Sequence, residues 1–116
     1  MSKILAAKSC VPCRGGVPPM AGEEITRLLT ELPGWQVVGG HHLLKMYTFP
    51  DFAQALKFVN GAGAIAETEG HHPDLFLSWG KVEVKIWTHK INGLTESDFI
   101  LAAKIEEQYP NTKDKA

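Results

Sequence analysis

Apolar residues recur at helical spacing in three parts of the chain and at a period of two in the parts between them. In residues 22–33, one helical stripe is formed by Ile25, Leu28, Leu29 and Leu32. This spacing predicts a short amphipathic helix, and the LPGW stretch predicts its end at Pro33 and Gly34. Residues 34–38 and 42–49 are rich in β-branched, aromatic and aliphatic side chains and are separated by glycines, which predicts a β-hairpin.

The second half of the chain repeats this order. Residues 52–66 carry apolar and small residues on one helical face, and Asp51 is the predicted cap of that helix. Residues 74–79 and 81–89 then return to strand character, with a turn at Gly80 and with Val82, Val84 and Ile86 on one face. Thr95 and Asp98 predict a capping box at the start of a last helix. Residues 99–103 of that helix are apolar nearly all round, which predicts that part of it meets a second subunit.

The predicted elements follow in the order helix, strand, strand, helix, strand, strand, helix. Because the strands are joined as hairpins without crossover helices, they predict an α+β two-layer sandwich, with a four-stranded antiparallel sheet and three helices on one face. Residues 21–116 form this predicted domain. Residues 1–20 are rich in proline and glycine and predict an irregular N-terminal arm. One edge of the sheet is expected to pair with a partner subunit.

Composition excludes several classes of function. A chain of 116 residues with 44% hydrophobic and 22% charged residues is typical of one globular domain. The net charge of −1 leaves no basic excess for neutralising phosphates, so direct binding of nucleic acid is disfavoured. No apolar run approaches the roughly 20 residues of a membrane span, and the N-terminus lacks the charged-then-apolar pattern of a signal peptide. A cytoplasmic protein without membrane attachment is therefore expected.

The two cysteines, Cys10 and Cys13, form a CVPC motif in the predicted arm. One CxxC supplies two of the four ligands that a structural zinc site normally requires, and the strand context of a thioredoxin-like motif is missing. The motif therefore favours reduced thiols in an irregular segment. A metal site completed by other residues and redox chemistry are the alternatives.

Four of the five histidines occur as two adjacent pairs. His41 and His42 fall at the tip of the first predicted hairpin, where exposed polar residues are common. His71 and His72 follow a helix whose last turn carries Glu67, four residues before His71. If the helix persists, Glu67 and His71 share one face, and a carboxylate there can orient an imidazole and fix its tautomer.

The fifth histidine, His89, ends the predicted fourth strand on its polar face, two residues after Trp87. In a hairpin that turns at Gly80, the end of the second strand lies beside the start of the first. The pattern therefore predicts that His71, His72 and His89 surround one cleft. Ordinary surface histidines remain the alternative reading of these positions.

A functional cluster of this kind favours acid–base catalysis over metal binding. Three histidines could bind zinc and leave an open position, but adjacent histidines point in diverging directions, and neither HxH nor HxxxH spacing occurs. An acid–base pair needs only two imidazoles on two sides of a substrate, with Trp79 or Trp87 as a flat surface for a ring. Each such proton transfer contributes typically ~10²–10⁴-fold to a rate.

The spacing over residues 67–98 resembles the signature of the pterin-4a-carbinolamine dehydratases, also called 4a-hydroxytetrahydrobiopterin dehydratases. The signature consists of Glu67, HHP at residues 71–73, Trp79, His89 and Asp98. The resemblance extends through LPGW at 32–35, FPDFAQALKFV at 49–59 and GLTESD at 93–98. The CVPCRGGVPP stretch is similar to the arm of bacterial members. Gly70 and Leu75 depart from the pattern, because many members have an acidic and an aromatic residue at these positions.

The resemblance implies an α+β fold with a four-stranded antiparallel sheet and three helices. It implies a hydro-lyase that removes water from a 4a-hydroxytetrahydropterin, the product released by aromatic amino-acid hydroxylases, and gives a quinonoid dihydropterin for recycling. Members need no metal or organic cofactor. They form homodimers by joining sheets and often homotetramers through helices, and a hydroxylase is the expected protein partner.

The resemblance also implies roles for individual residues. His71 and His89 are the catalytic pair, of which one protonates the leaving hydroxyl and the other accepts a proton from a ring nitrogen. Glu67 orients a histidine or hydrogen-bonds the substrate. Substrate binding is expected from His72, Pro73, Trp79, Trp87 and Asp98. For Asp98, the capping box is a sufficient structural alternative.

Two other functions stay open at this point. One is a non-enzymatic binding or dimerisation module that docks a partner through its sheet edge or last helix. The resemblance is consistent with such a role, because animal members also serve as a dimerisation partner of a transcription factor. The other is a pterin-binding protein of molybdopterin metabolism, a role that some bacterial relatives are expected to serve.

Overall fold

The computed structural model describes residues 3–7 and 20–109, so Cys10 and Cys13 lie outside the described residues. In chain order the elements are α1 (Lys3–Ala7), α2 (Gly22–Leu29), β1 (Gln36–Val38), β2 (His42–Thr48), α3 (Phe52–Glu69), β3 (Asp74–Ser78), β4 (Lys81–Ile86), a 3-10 helix (His89–Ile91) and α4 (Glu96–Glu106). From α2 onward, the α-helices and strands follow the predicted order. The predicted α+β fold is confirmed.

The four strands form one antiparallel sheet in the order β1-β2-β4-β3. β2 and β4 are central, and their pairing brings Leu43 opposite Ile86. On the other side of β4, Asp74 of β3 pairs with Lys85. The start of β2, the end of β4 and the start of β3 therefore meet at one end of the sheet.

The described helices cover one face of the sheet and leave its other face uncovered. Because successive side chains of a strand point to opposite faces, every second residue of the central strands enters the core. The fully buried residues of these strands are Leu43, Tyr47, Val82, Val84 and Ile86. The predicted buried face of β4 is confirmed.

α3 begins and ends at residues suited to these positions. The carboxylate of Asp51 accepts a hydrogen bond from the backbone N–H of Gln54 at 2.8 Å, which confirms the predicted cap. Gly70 follows the last turn with φ of 66°, a left-handed conformation that glycine adopts without a steric penalty. The chain therefore turns sharply just before His71.

α4 has apolar residues nearly all round because the chain covers it from more than one side. Residues 99–103 are all buried. α4 packs against β2 and α3, and α1 packs against it as well. These contacts within the chain account for the apolar pattern, so the inference that it requires a second subunit does not follow.

α1 lies in the segment predicted to be an irregular arm, and for residues 3–7 that prediction is wrong. Leu5 and Ala6 are buried, and the ammonium of Lys104 donates to the backbone carbonyl of Ala6 at 2.7 Å. The prolines and glycines that disfavour a helix all follow Cys10, so they do not prevent this short one. Within residues 3–7 and 20–109, no helix combines the length and apolar character that a membrane span requires.

Candidate active site

Asp98, the third residue of α4, is a fully buried carboxylate with three hydrogen-bond donors. Its Oδ2 accepts from the backbone N–H of Thr95 and from the hydroxyl of Thr88, both at 2.8 Å. Its Oδ1 contacts Nε2 of His71 at 2.6 Å. The bond from Thr95 belongs to the predicted capping box, which is confirmed. The other two bonds connect α4 to the segments that follow β4 and precede β3, so Asp98 does more than cap a helix.

The turn after α3 brings His71 to this carboxylate. The backbone N–H of His71 donates to the carbonyl of Ala66 at 3.2 Å, next to the left-handed Gly70. The His71 side chain is only 12% exposed, so its imidazole is held between α3 and α4. An ionised carboxylate accepts but does not donate, so Nε2 of His71 carries the shared proton. Nδ1 is then the ring atom that can exchange a proton with a substrate.

Glu67 contacts His72, and the helix does not persist to His71, which is the condition for Glu67 and His71 to share a helical face. Glu67 Oε2 lies 2.5 Å from Nε2 of His72, and the two side chains are 78% and 59% exposed. α3 ends at Glu69, and the left-handed Gly70 redirects the chain before His71. The relation between positions four residues apart therefore does not extend to His71.

His89 lies beyond β4, as the first residue of the 3-10 helix. The prediction that it ends the strand is wrong, because β4 ends at Ile86 and Thr88 turns back to pair with Gly93. Thr88 is buried and donates its hydroxyl to Asp98. His89 thus directly follows a residue that shares the Asp98 carboxylate with His71.

Trp87 is partly buried, and three imidazoles lie around it. Its ring centroid is 4.2 Å from that of His89, 5.3 Å from that of His41 and 6.0 Å from that of His42. The interpretation of His41 and His42 as exposed tip residues missed this contact. The signal that could have found it is the register between β2 and β4, because the Leu43 to Ile86 pair places His42 beside Trp87.

Trp79 is the predicted site residue that the structure does not bring to the histidines of the same chain. It lies in the turn between β3 and β4 and is 67% exposed. At about 3.3 Å per residue along a strand, it stands roughly 20 Å from His72. Pro73, in contrast, adjoins His72 at the near end of β3. Unlike Trp79, Trp87 contacts a candidate catalytic residue, because its ring lies beside that of His89.

Electrostatics at this end of the sheet favour neutral imidazole at His42. Burial lowers the pKa of His42, and electrostatic interactions with Lys85 and His41 lower it further. Among the described residues, no group of three or more His, Cys, Asp or Glu side chains is placed to hold a metal ion. The arrangement joins two imidazole-bearing segments, one carboxylate and one indole ring, which are groups suited to proton transfer beside a flat substrate.

Comparison with known proteins places this chain in a family. A family model described as "Pterin 4 alpha carbinolamine dehydratase" matches residues 18–108. A protein of Rubrobacter xylanophilus named "Putative pterin-4-alpha-carbinolamine dehydratase" is 56% identical over 102 residues, which cover 88% of this chain and 95% of that protein. A protein of Rickettsia canadensis with the same name is 59% identical over 106 residues, 90% of this chain and 97% of that protein.

Solved structures show the same fold. A crystal structure described as a transcriptional coactivator/pterin dehydratase from Brucella melitensis matches with a TM-score of 0.75 and 33% identity, over 79% of this chain and 99% of that chain. A pterin dehydratase-like protein identified as a RuBisCO assembly factor in the alpha-carboxysome matches with a TM-score of 0.59 and 21% identity, over 69% of this chain and 94% of that chain. At that identity, the second likeness concerns the fold alone.

Proposed function

We propose that this chain, which belongs to the pterin 4 alpha carbinolamine dehydratase family, is a hydro-lyase that removes water from a 4a-hydroxytetrahydropterin. The C4a–O bond breaks, the hydroxyl leaves as water after receiving a proton, and a ring nitrogen of the pterin loses a proton. The product is a quinonoid dihydropterin. The two proton transfers balance, and no oxidant or reductant is consumed.

The observation that carries this proposal is the shared carboxylate of Asp98. It holds the imidazole of His71 directly and holds the segment of His89 through Thr88. A single buried carboxylate thereby holds the His71 imidazole and anchors the base of the loop that carries His89. Preorganised groups of this kind accelerate a reaction because little reorganisation is needed at the moment of transfer.

The remaining residues of the signature receive supporting roles in this proposal. His72 and Glu67 form an exposed pair beside His71, where they hydrogen-bond the polar edge of a pterin. Pro73 leads the chain from His72 into β3, and Trp87 offers its ring face to the bicyclic substrate. Asp98 is completely buried, so we assign it to positioning His71 and not to direct contact with substrate.

The direct test is dehydration of a synthetic 4a-hydroxytetrahydropterin, followed by ultraviolet absorbance and corrected for the spontaneous reaction. We expect His71→Ala and His89→Ala each to lower the catalysed rate by about 10²-fold or more. Gln36→Ala, an exposed position on β1, is the control and should retain the rate of the unchanged protein. Unchanged protein that fails to accelerate the reaction would refute the proposal, and circular dichroism of each variant would separate lost chemistry from lost folding.

We further propose that the reaction recycles the pterin of an aromatic amino-acid hydroxylase. Recycling requires both proteins in one compartment, so we assign the activity to the cytoplasm. An inactive dehydratase that nonetheless retains a stoichiometric protein partner would favour the binding-module alternative.

A homodimer or homotetramer is proposed as the working assembly. Its support is the face of the sheet that none of the described helices covers, where Met46 and Phe76 are 49% and 65% exposed. Both pair with Glu83, so they flank one position of β4 on the same face. Analytical ultracentrifugation of the unchanged protein and of Phe76→Ser would test whether apolar exposure here reflects self-association.

A further inference from the structure

The loop from Thr88 to Gly93 carries His89 and is closed firmly at its base. The backbone N–H of Thr88 donates to the carbonyl of Gly93 at 2.8 Å, and that of Gly93 donates back at 3.4 Å. The Thr88 hydroxyl is tied to Asp98. His89 itself stands away from this base and is exposed. The hydrogen bonds at the base of the loop therefore do not by themselves fix the position of the His89 side chain.

The far end of the loop has a second attachment, and it comes from the β1–β2 hairpin. Asn92 adopts a left-handed conformation with φ of 53°, and its backbone N–H donates to the carbonyl of His89 at 3.2 Å. Its side-chain Oδ1 lies 2.8 Å from Nε2 of His41, which donates to it. His41 and Asn92 are 51 residues apart in the chain. This bond therefore links two loops that only the strand order brings together.

The ring of Trp87 links the same residues by packing. Its centroid is 5.3 Å from that of the His41 ring and 4.2 Å from that of the His89 ring. His41 thus contacts both residues that support His89. Asn92 caps the 3-10 helix that carries His89, and the ring of Trp87 packs against the His89 ring.

The bond to Asn92 determines which ring nitrogen of His41 carries the proton, and the tautomer of His42 follows from it. The two Nδ1 atoms are 3.0 Å apart, so one of them donates to the other. Because Nε2 of a neutral His41 donates to Asn92, its Nδ1 must accept, and His42 supplies the proton from its own Nδ1. The adjacent pair therefore forms a directed chain from His42 through His41 to Asn92.

We propose that His41 is a positioning residue of the dehydratase, which holds the His89 imidazole in its reactive orientation through Asn92 and Trp87. The proposal rests on the proposed function for its kinetic consequence, but the geometry itself is independent of the substrate. Misplacement of a reacting group by about 1 Å can cost up to ~10²-fold in rate. Because His89 would remain present and only less well held, we expect a smaller loss for His41, about 10-fold in kcat with little change in KM.

The kinetic test is a double-mutant cycle between His41 and Asn92. His41→Ala removes the donor, and Asn92→Gly removes the acceptor while permitting the left-handed backbone. We expect each change to lower kcat by about 10-fold and the double variant to lose no more than either single one. Partial recovery is expected in His41→Gln, whose amide can donate to Asn92. Gln36→Ala on the same hairpin is the control.

The second test needs no substrate. Long-range proton–nitrogen correlation spectra of the full chain report the state of each imidazole, and we expect the His89 signals to move in His41→Ala and to stay in Gln36→Ala. Independent, multiplying losses in the kinetic cycle would overturn the proposal, as would His89 signals that His41→Ala leaves unchanged. If the unchanged protein lacks dehydratase activity, the proposed function falls, and the spectra alone decide the role of His41.

Discussion

α4 carries two largely buried carboxylates, one near its start and one at its end. They accept hydrogen bonds from different kinds of donor. Asp98 accepts from a backbone amide, a hydroxyl and the imidazole of His71. Glu106 accepts on one oxygen from the ammonium of Lys45 at 2.8 Å, the hydroxyl of Tyr47 at 2.5 Å and the indole of Trp35 at 3.1 Å.

The difference between the donors separates a structural cluster from a candidate catalytic one. Ammonium, phenol and indole groups keep their protons at neutral pH, so the Glu106 cluster ties α4 to the first hairpin without exchanging protons. Burial raises the pKa of Tyr47, and the hydrogen bond and charge of Glu106 raise it further. Asp98 instead holds an imidazole, the side chain that gains and loses protons near neutral pH. A buried carboxylate with donors that keep their protons therefore fits a stabilising role at one end of the helix, and one that holds an imidazole fits the proposed proton transfer at the other.

The most direct test of the difference between the two carboxylates is the variant Asp98→Asn. The amide keeps the size of the side chain, but it removes the charge and offers a donor where His71 and Thr88 need an acceptor. We expect kcat for dehydration to fall by about 10²-fold or more, because the imidazole loses its tautomer and orientation, as in other carboxylate–histidine pairs. Steady-state kinetics measures this effect, and Glu106→Gln is the matched control with nearly unchanged kcat. Comparable activity losses in both variants would mean that the two carboxylates do not differ in role.

Glu106→Gln should act on stability. Lys45, Tyr47 and Trp35 lose a charged acceptor in a largely buried place, and charge-assisted hydrogen bonds contribute about 1.5–3 kcal/mol each, only part of which the amide retains. We expect the free energy of unfolding to fall by about 2 kcal/mol, measured by urea denaturation. Glu107→Gln, at the exposed neighbouring position, should change it by less than about 0.5 kcal/mol. An unaffected Glu106→Gln variant would contradict the structural role of this cluster.

Tyr47→Phe should have the smallest effect on the free energy of unfolding, and this effect should depend on pH in the alkaline range. The pKa of Tyr47 is raised in the folded chain, so above about pH 10 the unfolded chain loses this proton while the folded chain keeps it. Stability of the unchanged protein should therefore decline as pH rises through this range. In Tyr47→Phe, we expect a cost of about 1 kcal/mol at neutral pH and a shallower decline between pH 9 and 11. Parallel pH curves for the two proteins would argue against a retained proton on Tyr47.

Much of the fold could be predicted because its signals are local. The period of the apolar residues predicts α2, α3, α4 and the four strands, and the caps at Asp51 and Thr95 require only residues three positions away. Local signals did not predict the extent of α1 or the residue at which β4 ends. Their limits depend on packing against α4 and on the turn from Thr88 to Gly93.

In the candidate site, too, some features have local signals in the sequence and others depend on tertiary contacts. The motif identified the segments of His71 and His89 and the position of Asp98, and it left open which histidine Glu67 would orient. The structure pairs Glu67 with His72, after the left-handed Gly70 ends the helix before His71, and it places Trp79 in the distant turn between β3 and β4.

By itself, the sequence determined the class of fold, the order of its elements and the kind of chemistry that the histidines support. Only the tertiary structure decided which side chains meet: Asp98 with His71, Glu106 with Tyr47, and His41 with Asn92. Periodicity and capping act over a few residues and can be read along the chain. Contacts between distant residues depend on strand order and register, where a shift of one residue turns every side chain to the opposite face of the sheet.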